Sequence, residues 1–262
     1  MVSKGYSNFF TTLLDLIFKA IFIARKDNTM IKNNFDEGFN LELVQTAFFD
    51  GVLEIPRIEP PEKIIIPSGM IPYSQRNRSR DFSECLVFYE HDINFSDVVR
   101  KSEDFVDDVL RFPAIVTPDN SLYRDAPLLV QMANVYRNRA IGHCLQKNGA
   151  YVITNVRWGD ERSYSTEFFL ENGEKVCLPE KFAFLGAPKK SIVSIGTYGC
   201  VQSKENKYYF REGLEAMLDE LTPEVVLVYG SMPKQIFSAD IKCKTNFVLY
   251  PDWISQVRKK VG

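Results

Sequence analysis

What most constrains this chain is a series of short, continuously apolar runs rich in β-branched residues, separated by longer stretches of helical period. The clearest are AIVT at 114–117, YVIT at 151–154, SIVSI at 191–195 and VVLVY at 225–229. None alternates polar with apolar, which is the pattern of strands covered by helices on both faces. Strand-like runs that alternate with helical stretches signal βα units and a parallel sheet. The expected strands are Cys85–Glu90, Pro113–Thr117, Tyr151–Asn155, Ser191–Ile195, Glu224–Tyr229 and Phe247–Tyr250. The fold class is therefore α/β, a mostly parallel sheet arranged either as an open doubly wound sheet or as a partial TIM-like barrel.

The intervening helices can be read from their stripes. Leu129, Met132, Ala133, Tyr136, Ala140 and Cys144 share one face, with Asp125 as the expected cap before Pro127 and Gly149 as the stop. Tyr209, Phe210, Leu214, Met217, Leu218 and Leu221 make a second stripe that Pro223 ends. A third, over Phe95 to Leu110, carries Val98, Val99, Phe105, Val106, Val109 and Leu110.

The sequence divides into an N-terminal helical extension (1–40), a Pro-rich connecting segment (41–82) and the α/β domain (83–262). The run FFTTLLDLIFKAIFIA at 9–24 is interrupted by Asp15 and Lys19 and is shorter than the ~20 apolar residues that a membrane span needs. It reads as an amphipathic helix, either docked on the domain or engaging a protein partner or a membrane surface. Five of the 13 prolines lie between Glu54 and Tyr73, so that stretch is extended chain and turns, with Ile64, Ile65 and Ile66 offering one short strand. Arg76, Arg78 and Arg80 follow as a local positive run, and Arg139, His143 and Lys147 are spaced to share one helix face.

Composition narrows the chemistry. Lys plus Arg at 32 against Asp plus Glu at 34 leaves a net charge of −2, so no global field gathers nucleic acid and any polyanion must meet a local patch. Five cysteines at 85, 144, 177, 200 and 243, without a CxxC pair, argue against a disulfide framework or zinc ribbon and suit a cytoplasmic protein. Two histidines, His91 and His143, cannot supply an all-histidine metal site. Signatures of dinucleotide folds, P-loops and serine hydrolases are missing.

In parallel sheets and barrels, ligands collect where the carboxyl ends of strands meet the following loops. Those positions carry His91 and Asp92, then Asp119, Arg124 and Asp125, then Asn155, Arg157, Trp158, Asp160 and Arg162, then Tyr198 and Cys200, and last Tyr229. Carboxylates can hold a divalent ion while guanidiniums clamp phosphate. Asp119, Asp160 and Arg157 are the candidate catalytic residues. Asp92, Asp119 and Asp160 are the candidate ligands for Mg²⁺ or Mn²⁺. Arg124, Asn155, Trp158, Tyr198 and Tyr229 are the candidate ligand-binding residues. The expected ligand is a nucleotide or a nucleic-acid end, and no transmembrane span is expected.

Four blocks carry a family resemblance: PD at 118, YRNRAIG at 136, NVRWGDERSYS at 155 and IGTYGC at 195. Over about Leu43 to Tyr229 the chain resembles the domain of unknown function 4417 family of phages, plasmids and bacteria. It departs from that pattern at Asn120, where Phe is usual, and at Thr154, where Pro is usual. The resemblance implies a mobile-element origin and a cytoplasmic setting, and it supplies no catalytic assignment. Against the phosphate-ligand expectation stands an alternative, a non-catalytic protein-interaction or DNA-associated accessory protein of a phage or plasmid.

Overall fold

The computed structural model describes residues 41–79, 82–96, 98 and 102–261. The expected N-terminal helix, Arg80 and Val99 lie outside the described residues. Eleven strands are present among the described residues. Seven form one sheet: β3 (Met70–Pro72), β4 (Cys85–Val87), β5 (Ile115–Val116), β6 (Val152–Asn155), β9 (Ile192–Gly196), β10 (Val225–Tyr229) and β11 (Asn246–Tyr250). The others pair as two antiparallel hairpins, β1 (Phe49–Asp50) with β2 (Ile55–Pro56), and β7 (Glu167–Phe169) with β8 (Lys175–Cys177). The main helices are α1 (Ser102–Val109), α2 (Leu128–Lys147), α3 (Glu161–Tyr164), α4 (Lys204–Leu221), α5 (Ala239–Lys242) and α6 (Trp253–Val261).

Every pairing in the large sheet is parallel, and its order, β11-β10-β9-β6-β5-β4-β3, follows the chain without reversal. A doubly wound sheet must reverse direction at a switch point. This sheet has none, so the choice between the two expected arrangements falls to the half-barrel. Its helices cover one face. Ile71, Leu86, Ile115 and Val152 pack outward with Phe105, Val109, Ile141 and Leu145, while Val193, Ile195, Val226 and Val228 pack outward with Phe210, Leu214, Met217 and Leu218.

The other face packs on itself, in place of the second helical layer that the apolar runs suggest. Met70 of β3, Cys85 and Val87 of β4, Val116 of β5, Ile153 of β6, Leu227 of β10 and Tyr250 of β11 share one buried cluster. Tyr89, just beyond β4, stacks on Tyr229 of β10 with ring centroids 5.0 Å apart, although three strands lie between them. The Tyr250 hydroxyl donates to the carbonyl of Pro67, 2.6 Å away, joining the last strand to the chain just before the first. Continuous apolarity therefore comes from a curled sheet whose concave side is filled by side chains, as in a small barrel.

The strand expected at Ile64–Ile66 is not formed. The Tyr151 hydroxyl accepts from the Ile65 amide (2.8 Å) and donates to the Lys63 carbonyl (3.0 Å), so this backbone finds side-chain partners outside a ladder. The edge strand is Met70–Pro72 instead, where Pro72 sits at an edge that tolerates a missing amide donor.

Helix α2 also departs from its expected stripe. Leu129 is 77% exposed, whereas Gln131, Asn134, Val135, Asn138, Arg139, Ile141 and Leu145 are buried. The first turns of α2 lie against the polar carboxyl ends of β5 and β6, so four of its nine buried residues are polar, while Ala140 of the expected stripe is buried. Its N-cap is Pro127 without a side-chain cap, so Asp125 does not cap it. Helix α4 follows its stripe: Phe210, Leu214, Met217, Leu218 and Leu221 are buried, with Tyr209 left at the margin. Each fully buried Leu or Met there contributes about 1.5–3 kcal/mol. The third stripe splits into a 3₁₀ turn at Asp92–Phe95 and the shorter α1. Among the described residues no helix is long and apolar enough to cross a membrane.

Candidate functional site

At the carboxyl ends of β6 and β9 the loops open into a pocket of about 440 Å³. Its base is apolar: Leu122, Val156, Trp158, Ile195 and Phe210. Its wall is polar: Arg124, Asp125, Arg157, Cys200 and Asn206. Trp158 packs on Phe210 at 5.0 Å and is 6% exposed. Helix α4 meets the indole with Gly213, where a Cβ would stand 2.3 Å from the ring. Any larger residue would push the helix off the pocket floor.

Arg157 is set in place from below. Its guanidinium pairs with Asp119 at 3.3 Å, and the two side chains are 21% and 10% exposed. Asn155 donates to the other Asp119 oxygen (2.8 Å) and accepts from the Tyr89 hydroxyl (3.1 Å), which also shares a 2.7 Å hydrogen bond with Ser194. A Cβ at Gly196 would lie 2.4 Å from the Tyr89 ring, so that strand end must be glycine for the tyrosine to reach the network. Burial raises the Asp119 carboxyl above the usual carboxylate range, opposed by the Arg157 charge and the Asn155 hydrogen bond. Burial works against the charge of Arg157, yet Asp119, Cys200 and Tyr89 hold its pKa above the ordinary arginine value. The result is a fixed cation that lines the pocket, held by a counter-ion that does not.

The structure thus brings Arg157, Arg124 and Trp158 to one pocket, with Asp119 and Asn155 behind it. The remaining candidates lie elsewhere. Asp92 accepts from the Ser121 amide (3.0 Å) and hydroxyl (2.8 Å), anchoring the loop after β5. Asp160 caps α3 and pairs with Arg162 at 2.9 Å. Tyr198 is 48% exposed and outside the pocket lining. Tyr229 stands in the barrel interior, its hydroxyl accepting from the Trp253 amide, and burial pushes it up to about 12. The expected metal triad is not assembled: among the described residues no three His, Cys, Asp or Glu side chains gather around one point. Each of the three aspartates already has an amide, hydroxyl or guanidinium partner, so Mg²⁺ or Mn²⁺ does not fit them as a set.

One arginine of each basic patch is absorbed in a similar way. Arg76 is paired with Asp108 and lies 4.0 Å over the Tyr73 ring. Arg139 is 1% exposed. It donates to the carbonyls of Leu185 (2.9 Å), Asn155 (2.8 Å) and Ala183 (3.2 Å) and to Asn138 Oδ1 (2.6 Å). Burial pulls its pKa down to about 9, partly offset by Asp50. It is unavailable to DNA. Tyr89 and Asn206 carry no sequence expectation as site residues, Cys200 stands at the ligand edge without an assigned role, and Tyr209 is expected only as part of a core stripe. Tyr89 could have been found two residues past Val87, on the same strand face at the ligand edge.

Fold and site together define an α/β half-barrel protein with a cationic pocket at the carboxyl ends of its strands. The chain belongs to the family described as domain of unknown function (DUF4417), whose model matches residues 47–247. It is 29% identical over 196 residues to the Gene 1 protein of Mycobacterium phage L5, covering 73% of this chain and 77% of that one. The Gene 1 protein of Mycobacterium phage D29 is 28% identical over 196 residues, covering 73% of this chain and 66% of its own length. No solved structure matches the chain.

Proposed function

We propose that this protein binds a phosphate-bearing ligand in the pocket formed by the loops after β5, β6 and β9, in the cytoplasm of a cell carrying a phage-type element. The observation that carries this reading is Arg157: a largely buried guanidinium that lines the pocket, while its counter-ion, Asp119, is not among the lining residues. A guanidinium presents five donors in a planar fork and takes phosphate oxygens two at a time. Asp119 acts through Arg157, fixing its direction, and is a positioning residue. Arg124 supplies a second cation on the same wall.

The test is a thermal-shift and calorimetric titration with inorganic phosphate, a sugar phosphate and nucleoside monophosphates. Ligand at a hundred times its Kd stabilises a protein by about 2.7 kcal/mol, a clear rise in Tm. That rise should vanish in Arg157→Gln. The reading is overturned if no phosphate compound shifts the wild type, or if Arg157→Gln responds equally.

A further inference from the structure

We infer that the pocket recognises a single nucleotide unit, whose phosphate meets Arg157 and whose base lies on the flat pair made by Arg124 and Tyr209. This inference rests on the anion-binding reading above and names the ligand class of that same site. The Arg124 guanidinium lies 4.7 Å over the Tyr209 ring, and both line the pocket. Its plane is fixed at the edges: Glu205 pairs with it at 3.0 Å and the Asn206 side chain accepts from it at 3.0 Å. A guanidinium held flat by in-plane partners keeps its faces for aromatic rings, a use that lysine cannot reproduce.

Beside this platform the apolar floor of Trp158 and Phe210 suits a ring and repels a second charged group. The volume of about 440 Å³ is at the small end of ligand sites, which run from ~300 to ~1,000 Å³. It holds one nucleotide, not a dinucleotide. The polar groups within reach of the ring edge and sugar are the Asp125 carboxylate and the Asn206 amide, an acceptor and a mixed donor–acceptor.

Free nucleotides and the 5′-phosphorylated end of a strand present the same chemistry, so both are test arms. Calorimetry compares inorganic phosphate, ribose 5-phosphate, the four nucleoside monophosphates and a 5′-phosphorylated oligonucleotide, on wild type, Arg124→Lys and Arg157→Gln. A nucleoside monophosphate or the oligonucleotide should bind at least about tenfold tighter than ribose 5-phosphate, as base stacking provides. Arg124→Lys keeps the charge and loses the plane, so it should erase that advantage, weakening the base-bearing ligands by about tenfold and ribose 5-phosphate by much less. Two outcomes overturn the inference alone: ribose 5-phosphate matching both base-bearing ligands, or Arg124→Lys weakening all ligands equally. Loss of every ligand in wild type overturns the pocket's anion reading with it. Which base-bearing arm binds tells a free nucleotide from a strand end.

Discussion

Two buried arginines flank the end of β6 and meet at one residue, Asn155. Arg139 donates to the Asn155 carbonyl from the α2 side, and the Asn155 side chain supports Asp119, and through it Arg157, on the pocket side. The first guanidinium is spent on three main-chain carbonyls and Asn138. The second pairs with one carboxylate, has Cys200 beside it and lines a cavity. A charge taken out of water thus meets two surroundings, full for Arg139 at 1% exposure and partial for Arg157 at 21%, and the distinguishing mark is what its donors meet. Saturated by carbonyls, an arginine is a brace. Paired with one carboxylate at the wall of a cavity, it is the proposed receptor.

The comparison can be broken most forcefully at the brace. Arg139→Met strands three interior carbonyls, each costing about 1–3 kcal/mol when unsatisfied, so unfolding by denaturant should show a loss on the order of 3–5 kcal/mol. A loss below about 1 kcal/mol would mean that those carbonyls find water and that the brace is dispensable. Next comes the receptor. Asp119→Ala leaves Arg157 largely buried without its counter-ion and should cost about 2–3 kcal/mol, discounted from a fully interior pair because the guanidinium is part-exposed. The Asp119→Ala/Arg157→Met double variant should recover about 1–2 kcal/mol of the summed single losses, and strict additivity would show that the pair is not coupled.

The smallest effect lies one turn along α2 from the brace. His143 shares a 3.1 Å hydrogen bond with Thr46, and burial lowers its pKa below the usual 6.5, with Lys147 adding to this while the Arg57 backbone and Glu59 oppose it. Because the folded value lies below the unfolded one, the unfolded chain takes up the proton first, and stability falls as pH drops through about 6.5. Tm measured from about pH 7 to about pH 5 should fall less in His143→Gln than in wild type, a difference of ~0.5 kcal/mol or less for a half-exposed ring. Parallel curves would remove His143 from the account.

The sheet was legible because its strands are continuous apolar runs, and five of the six expected strands lie within two residues of both ends; Cys85–Glu90 is shortened to Cys85–Val87. The edge strand Met70–Pro72 was not, since three residues ending in proline carry no period. The β7–β8 hairpin had a readable signal in Asn172-Gly173, a turn pair between two short β-rich runs. The strand-edge rule points to loops that line the pocket, yet their residues sort by contacts that only folding defines. Asp92, Asp119 and Asp160 look equivalent along the chain, and their partners are respectively Ser121, Arg157 and Arg162. Arg139 looked like surface because helix spacing gives a face without saying what lies opposite it.

The contact between Tyr250 and Pro67 has a bearing on how the chain comes to be folded at all. Each strand of the large sheet pairs with the strand of that sheet that precedes it in the chain, β9 with β6 across the β7–β8 hairpin, so a growing chain can lay them down in order of synthesis. The seam spans 183 residues and must come last. Until it closes, the concave side with its stacked Tyr89 and Tyr229 stays open to solvent, and so completion of the C-terminal strand is what seals the chamber beneath the pocket.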